Sequence, residues 1–107
     1  MGRFVEAMGY FDRAVEINPQ LAEAWNDKGS CLARLGRFDE ALRCFDRAVE
    51  INPQNPEIWF NKALGEDRLT RNQDAVRSYW KFIGLASAQY ARQVDYALQR
   101  IRELEKR

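Results

Sequence analysis

The sequence predicts an all-α fold of antiparallel helix-turn-helix repeats stacked into a superhelical solenoid, an α-α superhelix, with a capping helix at the C-terminal end. Two observations predict it. Sliding the 107-residue chain against itself by 34 residues lays Phe11-Asp-Arg-Ala-Val-Glu-Ile-Asn-Pro-Gln20 on Phe45-Asp-Arg-Ala-Val-Glu-Ile-Asn-Pro-Gln54, ten identities in ten. The same shift lays Gly2-Arg3-Phe4 on Gly36-Arg37-Phe38, Trp25 on Trp59 and Ala41 on Ala75. A period of about 20 to 50 residues marks a stacked-repeat architecture, because one such unit buries its apolar face only against its neighbours. Within each unit, apolar residues also recur at the three-and-four spacing of a helix stripe.

The elements follow in order. Phe4, Ala7, Met8, Phe11, Ala14, Val15 and Ile17 draw one stripe over 4–17, and Asn18-Pro19 ends it, since proline lacks an amide hydrogen and disfavours a helical residue before it. A second helix, 22–35, sets Ala24, Trp25, Cys31, Leu32 and Leu35 against a polar side of Glu23, Asn26, Asp27, Ser30 and Arg34. Gly36 stops it with a left-handed turn. Residues 38–51 repeat the first helix and end at Asn52-Pro53, and the short link makes the pair an antiparallel hairpin. Asn55 caps the next helix, 56–69, with Pro56 at its first position. Residues 72–85 repeat the second-helix pattern, with Thr70 in place of the turn glycine and Ser87 in place of the closing proline. After Ser87, read as a cap, 88–106 reads as one longer helix with Tyr90, Val94, Ala97, Leu98, Ile101 and Leu104 inward.

With 17 Lys and Arg against 16 Asp and Glu, the net charge of +1 offers no field for a phosphate backbone or an anionic membrane. No stretch approaches the roughly 20 apolar residues of a membrane span, and the first residues lack the apolar core of a secretory signal. A cytoplasmic setting is expected. Cys31 and Cys44 fit no metal or redox spacing, and the chain has no histidine, so neither a metal nor another cofactor is expected. The two cysteines read as reduced thiols serving as small core hydrophobes, a disulfide between them being the other reading.

In residues 22–55, Trp25, Gly29, Ala41, Phe45, Ala48 and Pro53 stand at the intervals of the tetratricopeptide repeat, which this stretch resembles. Lys28 stands where that pattern has Leu, and Leu32 where it has Tyr. Residues 56–89 match at Trp59, Ala63, Ala75 and Tyr79 and depart at Glu66, Phe82 and Ser87. Phe82 is far larger than the Ala it replaces, so the hairpin is expected to open or the final helix to shift. The resemblance implies one right-handed superhelical domain over 1–107: the second half of a repeat (1–21), a complete repeat (22–55), a divergent repeat (56–89) and a capping helix (90–107). Met1 falls opposite Leu35, as though a longer array were cut at a turn, so the chain is either a fragment or starts further upstream. Phe4, Ala7, Phe11 and Ala14 would then lack the helix that covers them, and each buried large side chain is worth roughly 1.5 to 3 kcal/mol. Self-association through this face, as a homodimer, is the expectation.

The resemblance also implies a protein-protein interaction scaffold that holds a peptide or partner protein in a concave groove. Its positions here are Glu23, Asn26, Asp27, Ser30, Ala33 and Arg34, then Glu57, Phe60, Asn61, Leu64, Asp67 and Arg68. Most such positions are expected to be merely solvated. Phe60 and Leu64, one turn apart on a polar face, suggest an anchor pocket, unless the last helix folds over them. Asn26 with Arg34, and Asn61 with Arg68, could bond an extended backbone or a carboxylate. A related subgroup grips the C-terminal carboxylate of chaperones with several Lys, Arg and Asn. Only Asn61 stands in that register here, and the acids Glu23, Asp27, Glu57 and Asp67 favour a basic or mixed-charge segment instead. Trp25 and Trp59 read as core. Trp80, whose counterparts are Asp12 and Asp46, either packs under the last helix or lies exposed as a partner contact.

No nucleophile with a base, metal set or pocketed carboxylate pair is visible. Lys28-Gly29-Ser30 lacks the earlier glycine of a phosphate loop and lies inside a helix. The chain is therefore expected not to be an enzyme itself. The alternative is a substrate-docking or regulatory segment of a larger enzyme, such as a glycosyltransferase, whose catalysis lies outside this chain.

Overall fold

The computed structural model describes residues 2–106. Met1 and Arg107, and with Met1 its register opposite Leu35, lie outside the described residues. The described residues form six α-helices: α1 (Gly2–Ile17), α2 (Ala22–Arg34), α3 (Phe38–Ile51), α4 (Pro56–Arg68), α5 (Asn72–Leu85) and α6 (Ala91–Glu105). Among the described residues there is no strand. Two compact units result, Met1–Pro53 with α1 to α3 and Gln54–Arg107 with α4 to α6. Within each unit, consecutive helices pack against one another as antiparallel neighbours.

The helix ends show why the sequence breaks where it does. At the end of α2, Gly36 takes φ +80°, its amide donates to Ala33 O at 3.0 Å, and the Arg37 amide donates to Leu32 O at 2.9 Å. These two bonds close the left-handed turn that satisfies trailing carbonyls. The end of α4 has the same pair of bonds, Thr70 to Asp67 O at 3.1 Å and Arg71 to Glu66 O at 2.9 Å, yet the residue at φ 57° is Thr70. A β-branched residue is strained there, by about 1–2 kcal/mol. Asn55 Oδ1 accepts the Glu57 amide at 2.9 Å, with Pro56 opening the helix.

The single long helix expected over 88–106 is divided. Ser87 is extended and its side chain makes no capping bond. Its carbonyl instead accepts the Tyr90 amide at 3.0 Å, so Ala88–Tyr90 forms a 3-10 turn and α6 begins only at Ala91. That turn carries the Tyr90 ring edge-on to Phe82, with centroids 5.9 Å apart.

The core of unit 1 is Leu32, Ala41, Cys44 and Phe45, with Met8, Trp25 and Ala33 packed on it. Gly29 belongs here for space: a Cβ would stand 2.6 Å from Phe45 Cε1. Trp25 lays its indole on this core and donates from Nε1 to Pro19 O at 2.9 Å, which ties α2 to the turn before it. Cys31 and Cys44 are buried free thiols, and burial pushes the pKa of each up.

Unit 2 closes around Ala63, Ala75, Tyr79, Phe82, Ala97, Ile101 and Leu104. Phe82 is fully buried, its ring 4.8 Å from that of Phe60, so the oversized residue is absorbed by an aromatic cluster. Glu66, buried in place of a Tyr, accepts Ser78 Oγ at 2.6 Å and Lys62 Nζ at 3.0 Å. A buried carboxylate is tolerable only when so satisfied. Trp80 is 49% exposed, so it is not packed away under the last helix.

Candidate functional site

In unit 1 the structure joins two sets of residues that the sequence treats separately. Asp27, Ser30, Cys31 and Arg34 on α2 face Phe4 and Phe11 on α1 across a cleft of about 330 Å³. The residues expected in the peptide groove and those expected on the self-association face thus line one depression, apolar on one wall and polar on the other. Arg34 sets its guanidinium 5.4 Å from the Phe4 ring centroid, a cation–π contact that keeps the charge at the mouth of the cleft. Glu23, one turn before Asp27 on α2, is exposed. Asn26 is not on the open side: it is only 8% exposed and already engaged within the chain, which leaves it little to offer a ligand.

Phe4, Ala7, Phe11 and Ala14 are each half-buried, because α2 lies against α1. The exposed apolar side chains of α1 are Val5, Tyr10 and Ile17. Periodicity located the stripe of α1 but not how far α2 would already cover it.

In unit 2, Glu57 and Arg68 are exposed, while Phe60, Asn61 and Leu64 are half-buried. Phe60 and Leu64 pack on the unit's core, and α6 lays Tyr96 against the Phe60 ring at 6.1 Å. The last helix does fold over Phe60, so its ring is committed to the fold. Asp67 is committed as well. Its Oδ2 accepts Tyr79 Oη at 2.8 Å and Arg100 Nε at 2.8 Å, and its Oδ1 accepts Arg100 Nη2 at 2.7 Å. Burial, and then the bond to Asp67, push the Tyr79 phenol well above its ordinary value. The bond to Asp67 likewise raises the Arg100 guanidinium further. The chain has no histidine, and among the described residues no group of three His, Cys, Asp or Glu is placed to hold a metal ion. No helix among them is long and apolar enough to cross a membrane.

The family model described as "Tetratricopeptide repeat" matches residues 22–55, the α2–α3 hairpin with its flanking turns. Residues 22–55 are a tetratricopeptide repeat. Solved structures of tetratricopeptide-like fold are similar over nearly the whole chain. The type III secretion chaperone SycD of Yersinia enterocolitica, solved with a peptide of the translocator YopD, is 12% identical with a TM-score of 0.90, over 97% of this chain and 81% of that one. PcrH, solved with the chaperone binding region of PopD, is 17% identical with a TM-score of 0.88, over 98% and 80%. The TPR2B domain of yeast Sti1, solved as a pHsp70 complex, is 17% identical with a TM-score of 0.86, over 95% and 85%. At these identities the likeness shows the fold: helical tetratricopeptide-type repeats without a sheet. No curated protein matches the chain.

Proposed function

We propose that the chain is a non-catalytic interaction module that holds a segment of a partner polypeptide against the first helix of a repeat, and that in unit 1 the segment enters the cleft between α1 and α2. The observation that carries this is the lining of that cleft. Phe4 and Phe11 offer apolar surface, while Asp27, Ser30 and Arg34 offer a carboxylate, a hydroxyl and a guanidinium, the mix of apolar wall and few polar groups that orients a ligand. Solved neighbours of the same fold are complexes with a peptide of the translocator YopD, with the chaperone binding region of PopD and with pHsp70, which supports a polypeptide ligand. Asp27 and Glu23 favour a basic or mixed-charge segment. The finer setting, a cytoplasmic adaptor, is supported by the two free thiols.

The same cleft supports self-association, since a helix from a second copy would cover Phe4, Ala7, Phe11 and Ala14 together with exposed Tyr10 at their flank. Sedimentation at tens of micromolar tests this, and a monomer at all concentrations would exclude it. For partner binding, the clean variant is Asp27→Lys with Ser30→Arg, which fills and recharges the cleft from half-open positions. It should abolish binding of a basic or mixed-charge peptide selected on the native chain, with helicity unchanged. Unaltered binding would place the ligand elsewhere. Phe60→Ala is a poorer probe, because it removes a ring from the core of unit 2.

A further inference from the structure

We infer that the α2–α3 and α4–α5 hairpins each carry a further docking cleft, in unit 1 on the face of α2 turned away from Asp27, Ser30 and Arg34, and that this cleft takes an acidic segment of a partner polypeptide. In unit 1 a cleft of about 540 Å³ has Met8, Trp25, Leu32 and Cys44 as its apolar lining. Lys28, Arg37, Arg43 and Arg47 stand around it against only Asp12 and Glu40. Trp25, Lys28 and Leu32 each lie two residues before a member of the first set, which at 3.6 residues per turn puts the two stripes about 160° apart on α2.

Unit 2 repeats the site. A smaller cleft of about 250 Å³ lies between α4 and α5, and every residue lining it has a counterpart lining the first, 34 positions earlier. Trp59 answers Trp25, Lys62 answers Lys28, Asp74 answers Glu40, Arg77 answers Arg43 and Lys81 answers Arg47. Ser78 and Glu66 stand for Cys44 and Leu32. A lysine ammonium lies over each tryptophan, though from different positions: Lys28 of α2 at 5.5 Å from Trp25, and Lys81 of α5, the counterpart of Arg47, at 5.8 Å from Trp59.

The match goes beyond the tryptophan, which the repeat pattern itself supplies. Only eight of the 34 residue pairs between 22–55 and 56–89 are identical, and three of those eight are among the seven cleft pairs. Two more cleft pairs keep their charge, while slots that shape the hairpin have changed, Ala48 to Phe82 and Pro53 to Ser87. Lys28 and Lys62 also stand in both repeats where the repeat pattern has an apolar Leu.

The charge chooses the occupant. The clefts hold four basic residues against two acidic, and three against two, in a chain whose net charge is only +1. Arg43 has no acidic partner among the described residues. Lys62 is held by buried Glu66 at 3.0 Å and stays with the fold, whereas the pairs at the rims are more open to solvent: Lys28 with Asp12 at 3.1 Å, Arg37 with Glu40, Arg47 with Glu50 at 3.3 Å and Arg77 with Asp74. Such solvent-facing pairs are worth about 0–1 kcal/mol, so an incoming carboxylate can replace them and gain the two-pronged geometry of arginine. The tryptophan face takes an apolar side chain of the same segment. A nucleic-acid strand fits less well, because Asp12, Glu40, Glu66 and Asp74 would stand among its phosphates.

Calorimetric titration tests this with a synthetic peptide of Asp and Glu around one Leu, against its Asn/Gln isostere, at about 0.15 M salt. The acidic peptide should bind, with the isostere at least about tenfold weaker. Arg43→Glu with Arg47→Glu should weaken it about tenfold, the further pair Arg77→Glu with Lys81→Glu should abolish it, and Arg34→Glu should leave it unchanged. Circular dichroism checks folding, and the milder Gln variants serve if charge reversal disturbs it. Equal binding of the isostere, no response to the rim variants, loss with Arg34→Glu, or displacement by oligothymidylate would each overturn the assignment. The groove proposed above asks for a basic or mixed-charge ligand, so failure of the acidic peptide leaves that reading standing.

Discussion

Arg100→Ala should detach α6 locally from the body of unit 2. Arg100 places two parallel N–H groups on Asp67, at 2.8 and 2.7 Å, and the carboxylate also accepts the Tyr79 hydroxyl. The Asp67 side chain is 10% exposed and that of Arg100 23%. Hydrogen bonds to a charged group contribute about 1.5–3 kcal/mol, and stripping a fully buried charge of its partner costs about 3–5 kcal/mol. Water reaches this guanidinium, and the further bond to exposed Glu103 adds no more than a few tenths, so the net loss should be about 2 kcal/mol. That lowers the melting temperature by about 8 °C or more and raises local opening of α6 about 30-fold.

Hydrogen exchange resolved over 91–105 reads the opening directly, and urea unfolding followed by circular dichroism reads the total. The cycle with Asp67→Asn should show coupling above about 1 kcal/mol, and the double variant should recover part of the loss. A cost of about 0.5 kcal/mol or less, the value of an exposed pair, together with unchanged protection of α6, would refute the argument that this pair holds the capping helix.

Thr70→Gly should stabilise the chain by about 1 kcal/mol in chemical denaturation, because relief of a left-handed β-branched residue exceeds the entropy that glycine adds to the unfolded chain. Gly29→Ala should destabilise by about 1 kcal/mol, the crowding of Phe45 at 2.6 Å outweighing the better helix propensity; a gain would show that the Phe45 ring can retreat. Tyr79 makes stability fall at alkaline pH. Its folded pKa lies above the usual 10.0, so the contribution is complete below pH 10 and drains away above it, as the unfolded phenol ionises first. Tyr79→Phe should flatten that alkaline decline.

The helix boundaries were legible because single residues with fixed backbone demands set them: Pro19 and Pro53, Gly36, and Asn55 with Pro56. Thr70 kept the same turn as Gly36 at a cost in strain, which residue identity alone would not predict. The start of α6 is not legible in the sequence because Ser87 has a capping residue's chemistry but not its hydrogen bond, and the extended backbone there hands the turn to its carbonyl. At the candidate site, helical periodicity gave the stripe to which each residue belongs but not what lies above it. Phe60 therefore reads as an anchor unless the last helix covers it, which α6 does through Tyr96, and Asn26 reads as a groove residue although it is buried. The clefts around Trp25 and Trp59 had a signal in the sequence, the lysine that recurs at an apolar slot, but it takes the fold to show that arginines from the following helix meet it.

Both cysteines lie in the first unit, at Cys31 and Cys44, shielded from solvent and without a bridge. A thiol-reactive dye will therefore label the native chain only as fast as that half breathes, and the other half stays silent in the same experiment. Rates measured with and without a bound peptide would then tell which half of the molecule a ligand steadies, with no engineered probe at all.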